Sequence, residues 1–148
     1  MILSESIIPW IGKTSKMIAA SLNNCFKAEG IDLTREQLVV LIMLSENDCR
    51  AQHSLAIITE SDKTSLSRLI KKMEHKQLIR RFTTDQDKRV KHISISPLGE
   101  ETLEMAYPII REQIAAFQQG ISPTEIEMAI DTIQKIQQNI HKEQKAPL

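Results

Sequence analysis

The sequence predicts a mainly α-helical chain in which a small unit of three short helices and a β-hairpin, over residues 34–96, is flanked by long amphipathic helices over 5–29 and 97–143. Three observations predict it. Apolar residues recur at steps of three, four and seven along most of the 148 residues, the spacing of one helix face. After Leu78 the period changes to strict alternation, the spacing of a strand. Turn and capping residues stand at the joins, so the chain reads as one continuous unit from 1 to 148, with neither a low-complexity linker nor an internal repeat.

The first helix is expected from about Ser6 to Ala28, with Ile7, Ile11, Ile18, Leu22 and Cys25 on one face and Gly30 as its terminator. The second opens at Thr34, where Thr34-Arg35-Glu36-Gln37 fits a capping box, and buries Leu38, Leu41, Ile42 and Leu44. Asn47-Asp48 reads as a turn. A short third helix, Gln52 to Thr59, buries Leu55 and Ile58 and is broken by Glu60-Ser61-Asp62. Asp62 caps a fourth helix whose inner face is Leu66, Leu69, Ile70 and Met73. Two helices joined by about three polar residues make a helix-turn-helix pattern. Leu78–Phe82 and Val90–Ile95 read as the strands of a hairpin with the polar tip Thr83–Arg89, a wing. Ser96-Pro97 restarts helix, which runs to about Gln119 with a kink expected at Pro108; Ser122-Pro123 opens a last helix with Ile126, Ile130, Ile133, Ile136 and Ile140 on one face.

Composition narrows the function. With 41% hydrophobic and 26% charged residues the chain is of ordinary globular type, and with 3% aromatics its core must be aliphatic. No stretch reaches the roughly 18–20 apolar residues of a membrane span. Met1–Trp10 carries Glu5 and no basic residue, unlike a secretory start, and Cys25 and Cys49 form no disulfide framework, so the cytoplasm is the expected compartment. Catalysis has little support. The four glycines form no phosphate-cradling loop, no serine or cysteine stands in a nucleophile motif, and His53, His75, His92 and His141 are scattered, so neither cofactor nor metal is expected.

Charge is more informative. The formal net charge is zero, but Asp62–His92 holds ten basic and four acidic residues, +6, leaving −6 for the rest. A localised polyanion contact and a solvated lysine-rich face both fit that asymmetry. The outward positions of the fourth helix are Lys63, Thr64, Ser65, Ser67, Arg68, Lys71, Lys72 and His75, none of them acidic. Small hydroxyls and an arginine in the first turns suit base edges, and the later lysines suit phosphates. On the hairpin tip Arg89 suits a narrow minor groove, and Asp87 is expected to hold Arg89 or the turn, or to be an ordinary turn aspartate. The long flanking stripes exceed what one such core can cover. A second copy related by a two-fold axis would bury them, an intramolecular bundle being the alternative.

The run Leu55–Ile79, LAIITESDKTSLSRLIKKMEHKQLI, closely resembles the helix-turn-helix of MarR-type regulators. Their D-x-R signature, alternating strand, then serine or threonine and glycine, stands here as Asp87-Lys88-Arg89, Ile93, Ile95, Ser96 and Gly99. The resemblance implies a homodimer joined by its first, fifth and sixth helices, with the fourth helix in the major groove of a pseudo-palindromic operator and the wing in the flanking minor groove. It makes Thr64, Ser65 and Arg68 the base readers, Arg89 the wing contact, and Lys63, Lys71, Lys72, Arg81, Lys88 and Lys91 the phosphate contacts. It also implies repression relieved by a small aromatic or anionic effector, in a pocket for which Trp10, Lys13, Met17, Met43 and Tyr107 are candidates; plain packing is the other reading of those five. Two alternatives stay open: a winged-helix module that docks an acidic protein partner, and a redox-responsive regulator using Cys25 or Cys49, with Arg50 placed to activate the Cys49 thiol.

Overall fold

Helix ends fall where the capping residues stand in the computed structural model, which describes residues 3–59 and 62–145. After a short 3-10 turn at Leu3–Glu5, α1 spans Ile7–Ala28, and the Ser6 hydroxyl accepts from the Ile8 amide. Its far end closes as a Schellman turn: Gly30 has φ +72°, its N–H donates to Lys27 O, and the Ile31 N–H donates to Phe26 O. α2 spans Arg35–Glu46 behind the expected capping box, with the Gln37 amide donating to Thr34 Oγ1 at 3.3 Å and the Thr34 amide donating to Gln37 Oε1 at 3.2 Å.

The next segment departs from expectation. Asn47-Asp48 leads directly into a strand, β1, Arg50–Ala51. The Asp48 carboxylate accepts from the Cys49 amide at 2.9 Å and from the Ile95 amide, 47 residues on, at 3.0 Å, while Cys49 takes φ +60°. α3, Gln52–Thr59, follows; the side chain of Ile58, expected to be buried, and the expected break at Glu60 and Ser61 lie outside what the structure describes. α4 spans Lys63–His75 and starts on the Asp62 cap. The hairpin strands are β2, Ile79–Phe82, and β3, His92–Ile95, both shorter than expected at their amino ends. The sheet has three antiparallel strands in the order β1-β3-β2, with Arg50 opposite Ile93, Ala51 opposite His92, and Arg81 also opposite Ile93 on the other side. Leu78, expected in the strand, belongs instead to a second Schellman turn: Gln77 takes φ +62°, its N–H donates to Glu74 O, and that of Leu78 donates to Met73 O.

α5 spans Pro97–Phe117, with Pro108 inside it and its end two residues earlier than expected; α6 spans Pro123–Lys145. Each starts on a serine cap, Ser96 Oγ accepting from the Gly99 amide at 3.0 Å and Ser122 Oγ from the Glu125 amide at 3.2 Å. The chain divides into two compact units, one ending at Gln113 and the other beginning at Ile114. In the first, the core is the aliphatic one that scarce aromatics demand. Leu41, Leu44, Leu55, Ile70, Met73 and Ile93 are fully buried around Phe26. The amino half of α1 stays outside it, with Ile7, Ile8, Trp10, Met17 and Ile18 exposed. In the second unit α6 buries none of its own residues, and Met128, Ile130, Ile133 and Ile140 are exposed. No helix among the described residues is long and apolar enough to cross a membrane.

Candidate nucleic-acid interface

α4 owes its orientation to its inner face. Leu66, Ile70 and Met73 are buried and Leu69 is packed against the core, as their spacing requires. The opposite face therefore points outward, and Lys63, Thr64, Ser65, Arg68, Lys71 and Lys72 are all exposed, with Ser67 half-buried at the margin. At the amino end the Ser65 amide donates to Asp62 Oδ1 at 2.8 Å, and the Ser65 hydroxyl donates to Asp62 Oδ2 at 3.0 Å. These bonds, the amide first, hold the Asp62 carboxyl below its ordinary range, with help from the Thr64 amide and the charge of Arg68 against a smaller opposing desolvation effect.

The wing is shaped by two short-range bonds. Thr84 Oγ1 accepts from the Asp87 amide, and Asp87 Oδ1 accepts from the Arg89 amide at 2.9 Å. Asp87 thus fixes the backbone at Arg89 and leaves the guanidinium exposed, with no carboxylate paired to it among the described residues. Lys88 and Lys91 are exposed on either side. A cleft of about 480 Å³ opens between α3, the start of α4 and the wing; Lys63, Ser67, Arg81, Arg89 and Lys91 line it. Four cations converge there without a carboxylate in the lining, which concentrates positive potential in a concave place.

Two interactions were not foreseeable from spacing. Arg81 does not stand free as a phosphate contact: its Nη2 donates to Glu74 Oε1 at 3.0 Å, and its side chain is only 24% exposed. Lys76, just past α4, donates from Nζ to Asp32 Oδ1 at 2.8 Å, to Gln37 Oε1 at 3.1 Å and to Asp32 O at 3.2 Å, joining the end of α4 to the corner between α1 and α2. A basic residue at a helix C-terminus is a weak signal, and neither partner is near in sequence. The effector candidates lie in unlike surroundings. Trp10 and Met17 are 60% and 61% exposed on α1 with Lys13 beside them, whereas Met43 is a core residue and Tyr107 packs against the core. Cys25 is half-buried and Cys49 exposed. Arg50, expected to activate the Cys49 thiol, donates from Nε to the Met43 and Asn47 carbonyls at the end of α2.

Residues 33–91, from the α1–α2 corner through α4 to the wing, match the sequence model of the MarR family. Over those 59 residues the chain is similar to the MarR family. A relative in Bacillus subtilis, the HTH-type transcriptional regulator YybA, is 31% identical over 99 residues; the match takes in 66% of this chain and 63% of YybA, less than two thirds of that protein. Among solved structures, a SlyA-like transcription regulator from Listeria monocytogenes superposes with a TM-score of 0.84 at 25% identity, over 94% of this chain and 91% of that one. A MarR family transcriptional regulator from Listeria monocytogenes, solved in complex with a 26mer DNA, superposes with a TM-score of 0.82 at 24% identity over the same shares. The fold is therefore the winged helix-turn-helix that the sequence predicts.

Proposed function

We propose that the chain is a DNA-binding transcriptional regulator of the cytoplasm, not an enzyme, which grips a pseudo-palindromic operator as a homodimer. The observation that carries this reading is the convergence of Lys63, Arg89 and Lys91 on one cleft beside a helix face that exposes Thr64, Ser65, Arg68, Lys71 and Lys72 and no carboxylate. A helix of this kind fits the major groove, and an unpaired arginine on a wing fits the adjoining minor groove. A MarR family regulator of the same fold, solved in complex with a 26mer DNA, supports DNA as the partner. The exposed apolar residues of α1 and α6 are the surfaces a second copy would cover. In this reading the protein represses, and a small aromatic or anionic effector relieves it at a site to which Trp10, Lys13 and Met17 contribute an aromatic ring, a cation and a thioether.

The test is selection of bound fragments from random duplexes, followed by titration against salt. A pseudo-palindrome with half-sites about one helical turn apart is expected, with affinity falling roughly a thousandfold between about 50 and 200 mM salt. Arg68→Ala and Arg89→Ala should each weaken binding without lowering thermal stability. Unchanged affinity in both variants refutes the site. Weak, sequence-indifferent binding favours a module that docks an acidic protein.

A further inference from the structure

One hydroxyl on the outer face of α4 has its proton already committed. Ser65 Oγ lies 3.0 Å from Asp62 Oδ2, and the Ser65 amide lies 2.8 Å from Asp62 Oδ1. An ionised carboxylate has no hydrogen to give, so the serine is the donor in this pair. A hydroxyl owns one O–H and two lone pairs. With the proton turned back to Asp62, the exposed side of Ser65 offers lone pairs only. The same two bonds hold the side chain in place before anything docks against it.

We propose that Ser65 reads the operator as an acceptor alone and so selects adenine or cytosine at one position of each half-site. This rests on the reading that the outer face of α4 enters the major groove. There the exocyclic amino groups of adenine and cytosine are donors, while N7 and O6 of guanine and O4 of thymine are acceptors. Against guanine or thymine, Ser65 would set acceptor against acceptor and leave both desolvated and unpaired. A serine with a free proton rotates to suit either kind of edge and discriminates little. Asp62 is therefore more than the cap of α4: it decides which hydrogen-bonding face Ser65 turns outward.

The experiment compares random-duplex selection by the full-length wild type, Ser65→Ala and Asp62→Asn. The wild type should enrich adenine or cytosine at one position per half-site, and Ser65→Ala should lose the preference there while keeping it elsewhere. Asparagine caps helices as well as aspartate does. In Asp62→Asn the amide oxygen keeps the Ser65 N–H and the NH2 takes the place of Oδ2, donating to Ser65 Oγ. The serine proton is then free to turn outward, and the preference for adenine or cytosine at that position should be lost. As an atomic check, purine in place of adenine, or 2-pyrimidinone in place of cytosine, removes only the amino group. It should weaken wild-type binding by about fivefold and leave Ser65→Ala unaffected. A Ser65→Ala profile identical to the wild type overturns the proposal, as does guanine or thymine at the Ser65-dependent position in the wild type. An Asp62→Asn profile that keeps adenine or cytosine overturns the part given to Asp62. Absence of any enriched sequence with all three proteins fails the groove reading itself, a result distinct from enrichment that ignores Ser65.

Discussion

Gly99 makes room for Leu78: a Cβ on Gly99 would stand 2.1 Å from the Leu78 carbonyl oxygen and 2.9 Å from Ile95 Cγ1. The first turn of α5 is thereby pressed onto the turn that joins α4 to the hairpin. The same carbonyl accepts from the Ser96 amide at 3.1 Å, and Ser96 Oγ donates to the Gln77 carbonyl while accepting from the Gly99 amide. The serine and glycine of the signature are thus two halves of one joint.

Gly99→Ala should destabilise the protein by roughly 3 kcal/mol, because the atom in the way is backbone and cannot swing aside. Urea denaturation measures it; a loss under about 0.5 kcal/mol would mean that the close approach is absent in solution. Ser96→Ala should cost about 1–2 kcal/mol through the lost cap and the orphaned carbonyl.

Gln77 holds φ +62° without a glycine's freedom. Gln77→Gly should therefore stabilise by about 1 kcal/mol, since the Schellman turn keeps all its backbone bonds and sheds the Cβ clash. Thermal melting of the variant, read beside Gly30→Ala as the opposite change at φ +72°, checks the sign of both.

Glu74 restrains Arg81 beside the basic cleft. Glu74→Gln should release the guanidinium toward phosphate, tightening non-specific duplex binding and steepening the salt dependence by about one counterion per protomer. Anisotropy titrations at several salt concentrations decide the matter; an unchanged slope shows that Arg81 never reaches DNA.

Two carboxylates that cap helices titrate low. Asp62 lies below its ordinary 3.8 and Glu125 below its ordinary 4.5, the latter through the Ser122 amide first and the Ser122 hydroxyl second. A folded value below the unfolded one gives stability that is complete above the unfolded value and lost as pH falls through the folded one. The urea midpoint should therefore decline as pH drops below about 4.5, and Asp62→Asn with Glu125→Gln should flatten that decline. An acid limb that is the same in the double variant assigns it to other groups.

Ile130→Glu with Ile133→Glu places charge on an exposed apolar face of α6 without touching the core of the first unit. Sedimentation should show dimers for the wild type and monomers for the variant, whose unfolding midpoint for the first unit should stay close to the parent's. A wild type that sediments as a monomer at micromolar concentration removes the dimer from the functional reading.

The helices were legible because each carries two agreeing signals, a 3.6-residue apolar period and a capping residue, as at Thr34 with Leu38 and Leu41, or Asp62 with Leu66 and Ile70. β1 was not, because two residues cannot display alternation and its pairing depends on Asp48 reaching the Ile95 amide. Glutamine carries no turn signal, so the left-handed residue at 77 and the exclusion of Leu78 from the strand were hidden. In the candidate site the outward face of α4 follows directly from its inward one. The engagement of Arg81 by Glu74 and of Ser65 by Asp62 Oδ2 depends on rotamers chosen in three dimensions, which composition and spacing do not encode.

Lys76 ties three acceptors of the α1–α2 corner to the last turn of α4, and this has a mechanical corollary. α4 has no independent suspension: to tilt, it must first let go of Asp32 and Gln37, so its pitch is inherited from the elbow beside it, and the Arg81–Glu74 pair couples the hairpin finger to the same helix.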